Sequence, residues 1–188
     1  MRYFKLIYDY ENDDNYVNCN IVHRMENMDE YITIIGKYIE NWEKVTFEYD
    51  ATEGNVFSDY LGNVYRWLLV STKFQNITKE LIEKNIQYLP VTVSEIISKE
   101  KNNSYYVANI ISIIDAFDIE NSKYDIFELD DERILSVEKY ALKKTEIEGC
   151  HIFRIKNDTI PVFVSEDVKQ VIEQNKLTGF RFLEVEVN

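Results

Sequence analysis

The sequence predicts an α+β fold: a single domain over residues 1–188, built mainly on antiparallel strands, with one strand–helix–strand element used twice, at about 68–93 and 162–187. Three observations predict it. The chain has 188 residues, the size of one domain, and 45% of them are apolar and 14% aromatic, enough for a substantial core. Short segments rich in β-branched and aromatic residues recur along it. The chain also matches itself at an offset of 94 residues.

Residues 2–8 set Tyr3, Lys5 and Ile7 against Phe4, Leu6 and Tyr8, the alternation of a strand. Residues 9–15 carry Asp9, Glu11, Asp13, Asp14 and two asparagines and read as a polar loop. Over 29–42 two patterns compete. Tyr31, Ile34, Ile35, Tyr38 and Trp42 fit a helical stripe, whereas Tyr31 to Ile35 followed by Gly36 fits a strand ending in a turn. Residues 45–50 alternate again and read as a strand. So, by composition, do 86–93, 105–114, 150–155, 160–164 and 180–187. Residues 130–145 stay open: Leu135 and Leu142 fit a helix, Ile134 to Val137 a strand. Asn102-Asn103 and Asp130-Asp131 read as loop tips.

In the self-match, Leu69-Val70-Ser71 aligns with Phe163-Val164-Ser165, and Tyr88 to Val93 aligns with Phe182 to Val187. Phe74, Ile77 and Ile86 meet Val168, Val171 and Phe180. In each copy a serine ends an apolar strand and opens a helical stretch, where its hydroxyl can accept from a free N–H of the first turn. Glu166 and Asp167 then sit where the helix dipole favours acid. Asn85 and Gly179 occupy matching places after the helices and are expected to leave them in left-handed geometry. Neither serine lies in a nucleophile elbow, and no histidine has a matching context.

The chain carries 21 basic and 34 acidic residues, a formal net charge of −13. Residues 1–66 hold 6 basic and 13 acidic side chains, net −7, so the acid is densest in the first third. This balance argues against nucleic-acid binding, which needs Lys and Arg to displace phosphate counterions, and against docking on anionic membranes. It leaves open a basic protein partner. The start of the chain lacks the apolar stretch of a signal peptide, no segment has the length of a membrane helix, and two cysteines make no disulfide framework. The expected compartment is the cytoplasm.

Candidates for chemistry are sparse. Cys19 with His23, and Cys150 with His151, supply four ligand types for zinc, but the spacing is that of no common zinc site. Cys150 and His151 are expected to start a strand. The acidic pairs Asp13/Asp14, Asp115/Asp118 and Asp130/Asp131 are the kind that 34 carboxylates produce by chance, and Asp115 and Asp118 are expected to shape the turn after the apolar run. No phosphate loop, dinucleotide fingerprint or His-Glu-x-x-His is present.

Ordered blocks resemble a known family. They are Ile35 to Trp42, Val45 to Tyr49, Phe57 to Tyr60, Leu69-Val70-Ser71 with Ile86 to Val91, Tyr105 to Asp118, Ile152 to Ile155, Val162 to Ser165, and Leu177 to Phe182. Together they resemble the DUF1629 family of bacterial proteins, also called the Imm11 immunity proteins of polymorphic toxin systems. The resemblance spans about 31–187 and leaves residues 1–30 uncovered. It implies that Gly36 to Trp42 form a turn plus an anchor and that 134–145 are strand-like. It also implies a protein made beside a secreted toxin, which it binds and neutralises, and it transfers no catalytic residue.

The expected function is therefore a non-catalytic immunity protein that occludes a cognate toxin stoichiometrically, with no cofactor and no metal. A basic, nuclease-like toxin would suit an acidic surface. The expected contact residues are Asp9, Glu11, Asp13 and Asp14, with Glu48, Asp50, Glu53 and Asp59 second. The alternatives are a small-molecule hydrolase, which needs convergent titratable groups in a pocket, and a scaffold or oligomerisation module, which needs an exposed apolar patch. The Cys/His spacing yields one direct prediction. Purified protein contains no stoichiometric zinc by elemental analysis, and a chelator leaves its melting temperature unchanged.

Overall fold

The computed structural model describes residues 1–23, 28–129 and 132–188. The first part of the chain forms β1 (Tyr3–Tyr8), β2 (Asn18–Cys19), β3 (Ile21–His23), β4 (Val45–Tyr49), β5 (Tyr60–Asn63) and β6 (Leu69–Ser71). Helix α1 (Thr72–Ile82) and a 3-10 turn, Glu83–Asn85, lead into β7 (Ile86–Glu95). Then come β8 (Lys101–Asn102), β9 (Tyr105–Ile110), β10 (Ile113–Ile114), the hairpin β11 (Lys123–Leu129) and β12 (Glu132–Lys139), and β13 (Ala141–Leu142). A short α2 (Lys144–Ile147), β14 (Ile152–Ile155), β15 (Asp158–Ser165), α3 (Glu166–Gln174) and β16 (Phe180–Val187) complete the chain. The α+β class holds, with strands dominant.

One sheet runs β10-β14-β15-β1-β16-β13, the other β2-β5-β6-β9-β7-β4-β3 with β8 beside β7. Most pairings are antiparallel; β4–β7, β2–β5, β10–β14 and β13–β16 are parallel.

The 94-residue repeat is a repeat in space. β6, α1 and β7 lie in the second sheet with β9 inserted antiparallel between the two strands. β15, α3 and β16 lie in the first sheet with β1 inserted in the same way. The registers agree residue for residue. Ser71 faces Tyr105 and Leu89 faces Val107, while Ser165 faces Tyr3 and Leu183 faces Lys5. The two facing tyrosines share a role. Tyr105 donates its hydroxyl to Ser58 O (2.7 Å) and Tyr3 to Ile147 O (2.5 Å). The inserted strand follows the unit in one half and comes from the start of the chain in the other.

Both serines cap as expected: Ser71 Oγ accepts from Phe74 N (3.1 Å) and Ser165 Oγ from Val168 N (3.4 Å). The helices bury Phe74, Thr78 and Ile82 in α1 and Val168 and Ile172 in α3, the spacing of one helical face. That face enters a cluster shared by both sheets, including Phe4, Leu6, Tyr8, Val70, Ile86, Ile110, Val162 and Val164. The opposite face of each sheet is covered too. Phe47, Leu69, Val91 and Val107 pack with Ile39 and Trp67 on one side. Phe153 and Phe163 pack with Tyr3, Phe117 and Tyr140 on the other. Stretches buried on both faces lose polar alternation, which is why 107–110 and 162–164 read as apolar runs.

Several expectations change. The helical stripe over 29–42 does not form. Tyr31, Ile35 and Tyr38 are exposed, while Thr33 and Ile39 are buried and Ile32 and Trp42 partly so, a pattern of neither helix nor strand. The turn at Gly36 (φ +69°) and the anchor are present, with Trp42 Nε1 donating to Pro90 O (2.9 Å). Residues 132–139 and 141–142 are strand, but 144–147 turn into α2. The apolar run 105–114 is two strands, because the chain crosses between sheets after Ile110. Asn85 lies in the 3-10 turn and keeps negative φ. At the end of α3 the left-handed residue is Lys176 (φ +52°), and Gly179 (φ +85°) lies three residues further on. Cys150 and His151 precede β14 rather than start it. The Asp130-Asp131 tip lies outside the described residues.

Two tests follow. Ser71→Ala and Ser165→Ala each cost about 0.5–2 kcal/mol in denaturant unfolding. Gly179→Ala costs more, about 3 kcal/mol or above, since a Cβ there meets Tyr60 O at 2.3 Å in a backbone conformation that strains any L residue. Ala tolerated at 179 would overturn this account of the junction.

Candidate functional site

Six of the thirteen acids of the first third lie on two loops, 9–15 and 50–55, that touch at Asn15 and Asn55. After β1, the Asp9 carboxylate accepts from Glu11 N (3.3 Å) and Asn12 Nδ2 (2.8 Å), closing a tight turn. Asp9 N donates to Gly179 O (3.1 Å), so the loop starts from the junction with β16. Glu11 pairs with Arg181. Asp14 is exposed and Asp13 partly so. The chain then runs along 54–56: Asn55 N and Val56 N donate to Asn15 O (3.0 and 2.8 Å), and Val17 N donates to Val56 O (2.9 Å). Gly54 permits this approach, since a Cβ there would lie 2.2 Å from Tyr16 O.

The second group divides by role. The Asp50 carboxylate accepts from the Thr52 N–H (2.8 Å) and hydroxyl (2.6 Å). Exposed Glu53 reaches Asn20 Nδ2 at 3.5 Å. Glu48, Asp50 and Glu53 line one shallow hollow of about 220 Å³ with Tyr49 and Ile96. Glu48 is already paired with His23 Nε2 (2.8 Å) and Lys99 Nζ (3.4 Å), and the His23 hydrogen bond in particular holds its carboxyl below the usual range. Asp59 points inward: Oδ1 accepts from the Ser71 hydroxyl (2.7 Å) and Oδ2 from Thr178 N (3.0 Å). It ties the cap of α1 to the segment before β16.

The remaining candidates are accounted for by the fold. Burial pushes the Cys19 thiol up to about 12 and raises that of Cys150. His151, which the sequence leaves without context, stands beside the second cap, its Nδ1 2.9 Å from Ser165 Oγ and 3.7 Å from Asp167 Oδ2. Both contacts fall on one ring nitrogen, whereas a proton relay to a nucleophile uses both, and Ser165 is fully buried. Asp118 accepts from the N–H groups of Glu120 and Asn121 and shapes the turn as expected; Asp115 pairs with Lys156 (3.7 Å). No group of three or more His, Cys, Asp or Glu residues able to hold a metal occurs among the described residues. No helix among them is long and apolar enough to cross a membrane.

One feature escaped the sequence reading. A recess of about 240 Å³ between β1, β5 and β14 is lined by Arg154, Arg66, Tyr8, Tyr10 and Tyr60. Its only sequence signal is a charge, Arg154, inside the apolar strand Ile152 to Ile155.

The eight acids therefore differ in what their loss does. Asp59→Ala destabilises by about 1–3 kcal/mol, because it strands the Ser71 hydroxyl and the Thr178 N–H. Asp14→Ala and Glu53→Ala stay within about 0.5 kcal/mol of the wild type in the same unfolding assay. Equal losses for all three would contradict the division.

No curated protein sequence matches the chain. The profile of the Immunity protein family (Imm11) matches residues 7–187, so it takes in most of the first 30 residues, which the sequence blocks left uncovered. Such a family implies a toxin as partner. On that match, which spans nearly the whole described fold, the chain belongs to the Imm11 immunity protein family.

Proposed function

We propose that the chain neutralises a cognate toxin of a bacterial polymorphic toxin system by binding it one to one in the cytoplasm, with no turnover. The observation that supports this reading beyond family membership is the contact between the loops 9–15 and 50–55 at Asn15, and we read the carboxylates of Glu11, Asp13, Asp14 and Glu53 on these loops as one binding edge. A basic toxin surface, such as the phosphate-binding cleft of a nuclease, complements that edge. Asp9, Glu48, Asp50 and Asp59 belong to the same region but serve it by shaping and fixing the loops, since their carboxylates are engaged internally.

Charges at the rim of an interface act mainly on encounter, and apolar anchors on dissociation. Exposed Phe57 and Val56 lie between the acidic loops and β5 and are the nearest apolar anchors. The test uses the toxin encoded beside the chain's own gene. Protection saturates at about one chain per toxin, and association slows with salt as steering is screened beyond about 8 Å. Replacing Glu11, Asp13, Asp14 and Glu53 by Lys lowers the on-rate more than it raises the off-rate. Protection at catalytic, substoichiometric amounts refutes neutralisation by binding. An on-rate indifferent to salt and to the four reversals refutes the acidic edge.

A further inference from the structure

Arg154 is the only buried cation among the described residues, 3% exposed in an acidic chain. It lies where the β14–β15 register shifts, between Phe153 and Ile155. Its Nη1 donates to Thr159 O (2.7 Å) and to Ile160 O, and so holds the irregular strand beside Pro161, which has no N–H to give. That role needs a donor, not a charge. Nε is buried with no acceptor, and no carboxylate oxygen lies within 4 Å of the guanidinium among the described residues. The charge of Asp158 favours the guanidinium from a distance, but its carboxylate makes no direct ion pair with it and accepts from the Tyr140 hydroxyl (2.6 Å) and Ile160 N (3.2 Å). Burial lowers the guanidinium only to about 10, so it stays charged at neutral pH. A buried charge without a direct ion pair costs several kcal/mol unless further contacts compensate it.

The recess in front of Arg154 has the features that would do so. Arg66 lines it, exposed and with no ion pair among the described residues, and its backbone is left-handed (φ +54°), an unusual conformation for a side chain of that size. Tyr8, Tyr10 and Tyr60 form aromatic walls, with ring centroids 4.9 Å (Tyr8–Tyr10) and 5.4 Å (Tyr8–Tyr60) apart. Gly62 lets β5 pass close to the Tyr8 ring, since a Cβ there would lie 3.2 Å from Asn18 Oδ1 and 3.3 Å from that ring. Two guanidiniums at one small opening match the planar, doubly accepting face of an oxyanion.

We propose that this recess is a binding site for one oxyanion, a carboxylate or phosphate group, held by Arg154 and Arg66. The group comes either from a free phosphate compound or from an acidic side chain, and the probes distinguish the two. The full chain is titrated with inorganic phosphate and, separately, with N-acetylglutamate amide, at ionic strength held constant with chloride. The readout is the ¹H–¹⁵N resonance of the Arg154 Nε–H together with the backbone amides of Gly62 and Asn63, which line the recess and still report where Arg154 is replaced. A saturable shift is expected with at least one probe. Saturation by phosphate alone identifies a free phosphate compound, and saturation by the glutamate derivative identifies a side-chain carboxylate. Arg66→Gln, on the exposed rim and without effect on folding, weakens binding about tenfold, the loss of one charge-assisted contact. Arg154→Met abolishes it; should that variant fail to fold, Arg66→Gln alone decides. The absence of a saturable shift with either probe up to about 50 mM overturns the site, since a weaker interaction carries under about 2 kcal/mol. Equal affinity in wild type and Arg66→Gln overturns it as well.

Discussion

The apolar layer between the two sheets is what the rest of the molecule depends on. Neither strand–helix–strand unit closes its own interior. α1 and α3 each offer one narrow apolar face, and the shared cluster combines both helices with strands of both sheets. Phe180 shows the interlock most directly. It belongs to β16 of one unit yet stacks on Phe74 of α1 in the other (5.2 Å) and leans on Tyr60 of β5 (5.5 Å). Full burial of such a ring is worth about 1.5–3 kcal/mol, and the partly buried Phe180 obtains its share only when the units meet.

That meeting fixes the polar junction and, through it, the acidic edge. Thr178 and Gly179 lie against 58–60, with Tyr60 N donating to Thr178 O (3.0 Å) and Asp59 accepting from Thr178 N. The same segment receives the N–H of Asp9, so the first acidic loop leaves β1 from a defined point. β1 is itself central in its sheet, gripped by β15 and β16 from the far end of the sequence. The loop that follows it is thus placed by some of the longest-range contacts in the chain, of the kind that form late and slowly in folding.

The charge distribution separates two surfaces. Carboxylates crowd loops at the edge, where water screens them and where they act on encounter. The one buried cation among the described residues, Arg154, lines a recess bordered by tyrosines, where the low dielectric strengthens any single contact. An acidic exterior and a cationic recess select for different chemical features of whatever meets them.

The sequence determined what local chemistry can determine. The caps at Ser71 and Ser165 follow from a hydroxyl beside free N–H groups, and β1, β4, β7 and β16 from alternation or β-branched composition. The repeat was legible because both copies must bury the same helical face. The Gly36–Trp42 anchor was visible only through resemblance. Other features were beyond reach because their causes are distant in sequence. β2, β3, β5 and β8 are two to four residues long and exist through the strand beside them. The apolar residues of 31–42 divide between core and solvent according to a sheet that the segment itself does not form. Asp9, Asp13 and Asp59 are alike as sequence, and only the tertiary structure makes one a turn former, one a surface acid and one an internal tie. The same holds for Arg154, an ordinary charge in the sequence that folding buries without a direct ion pair, because pairing and burial are set by partners that the chain brings together only when it closes.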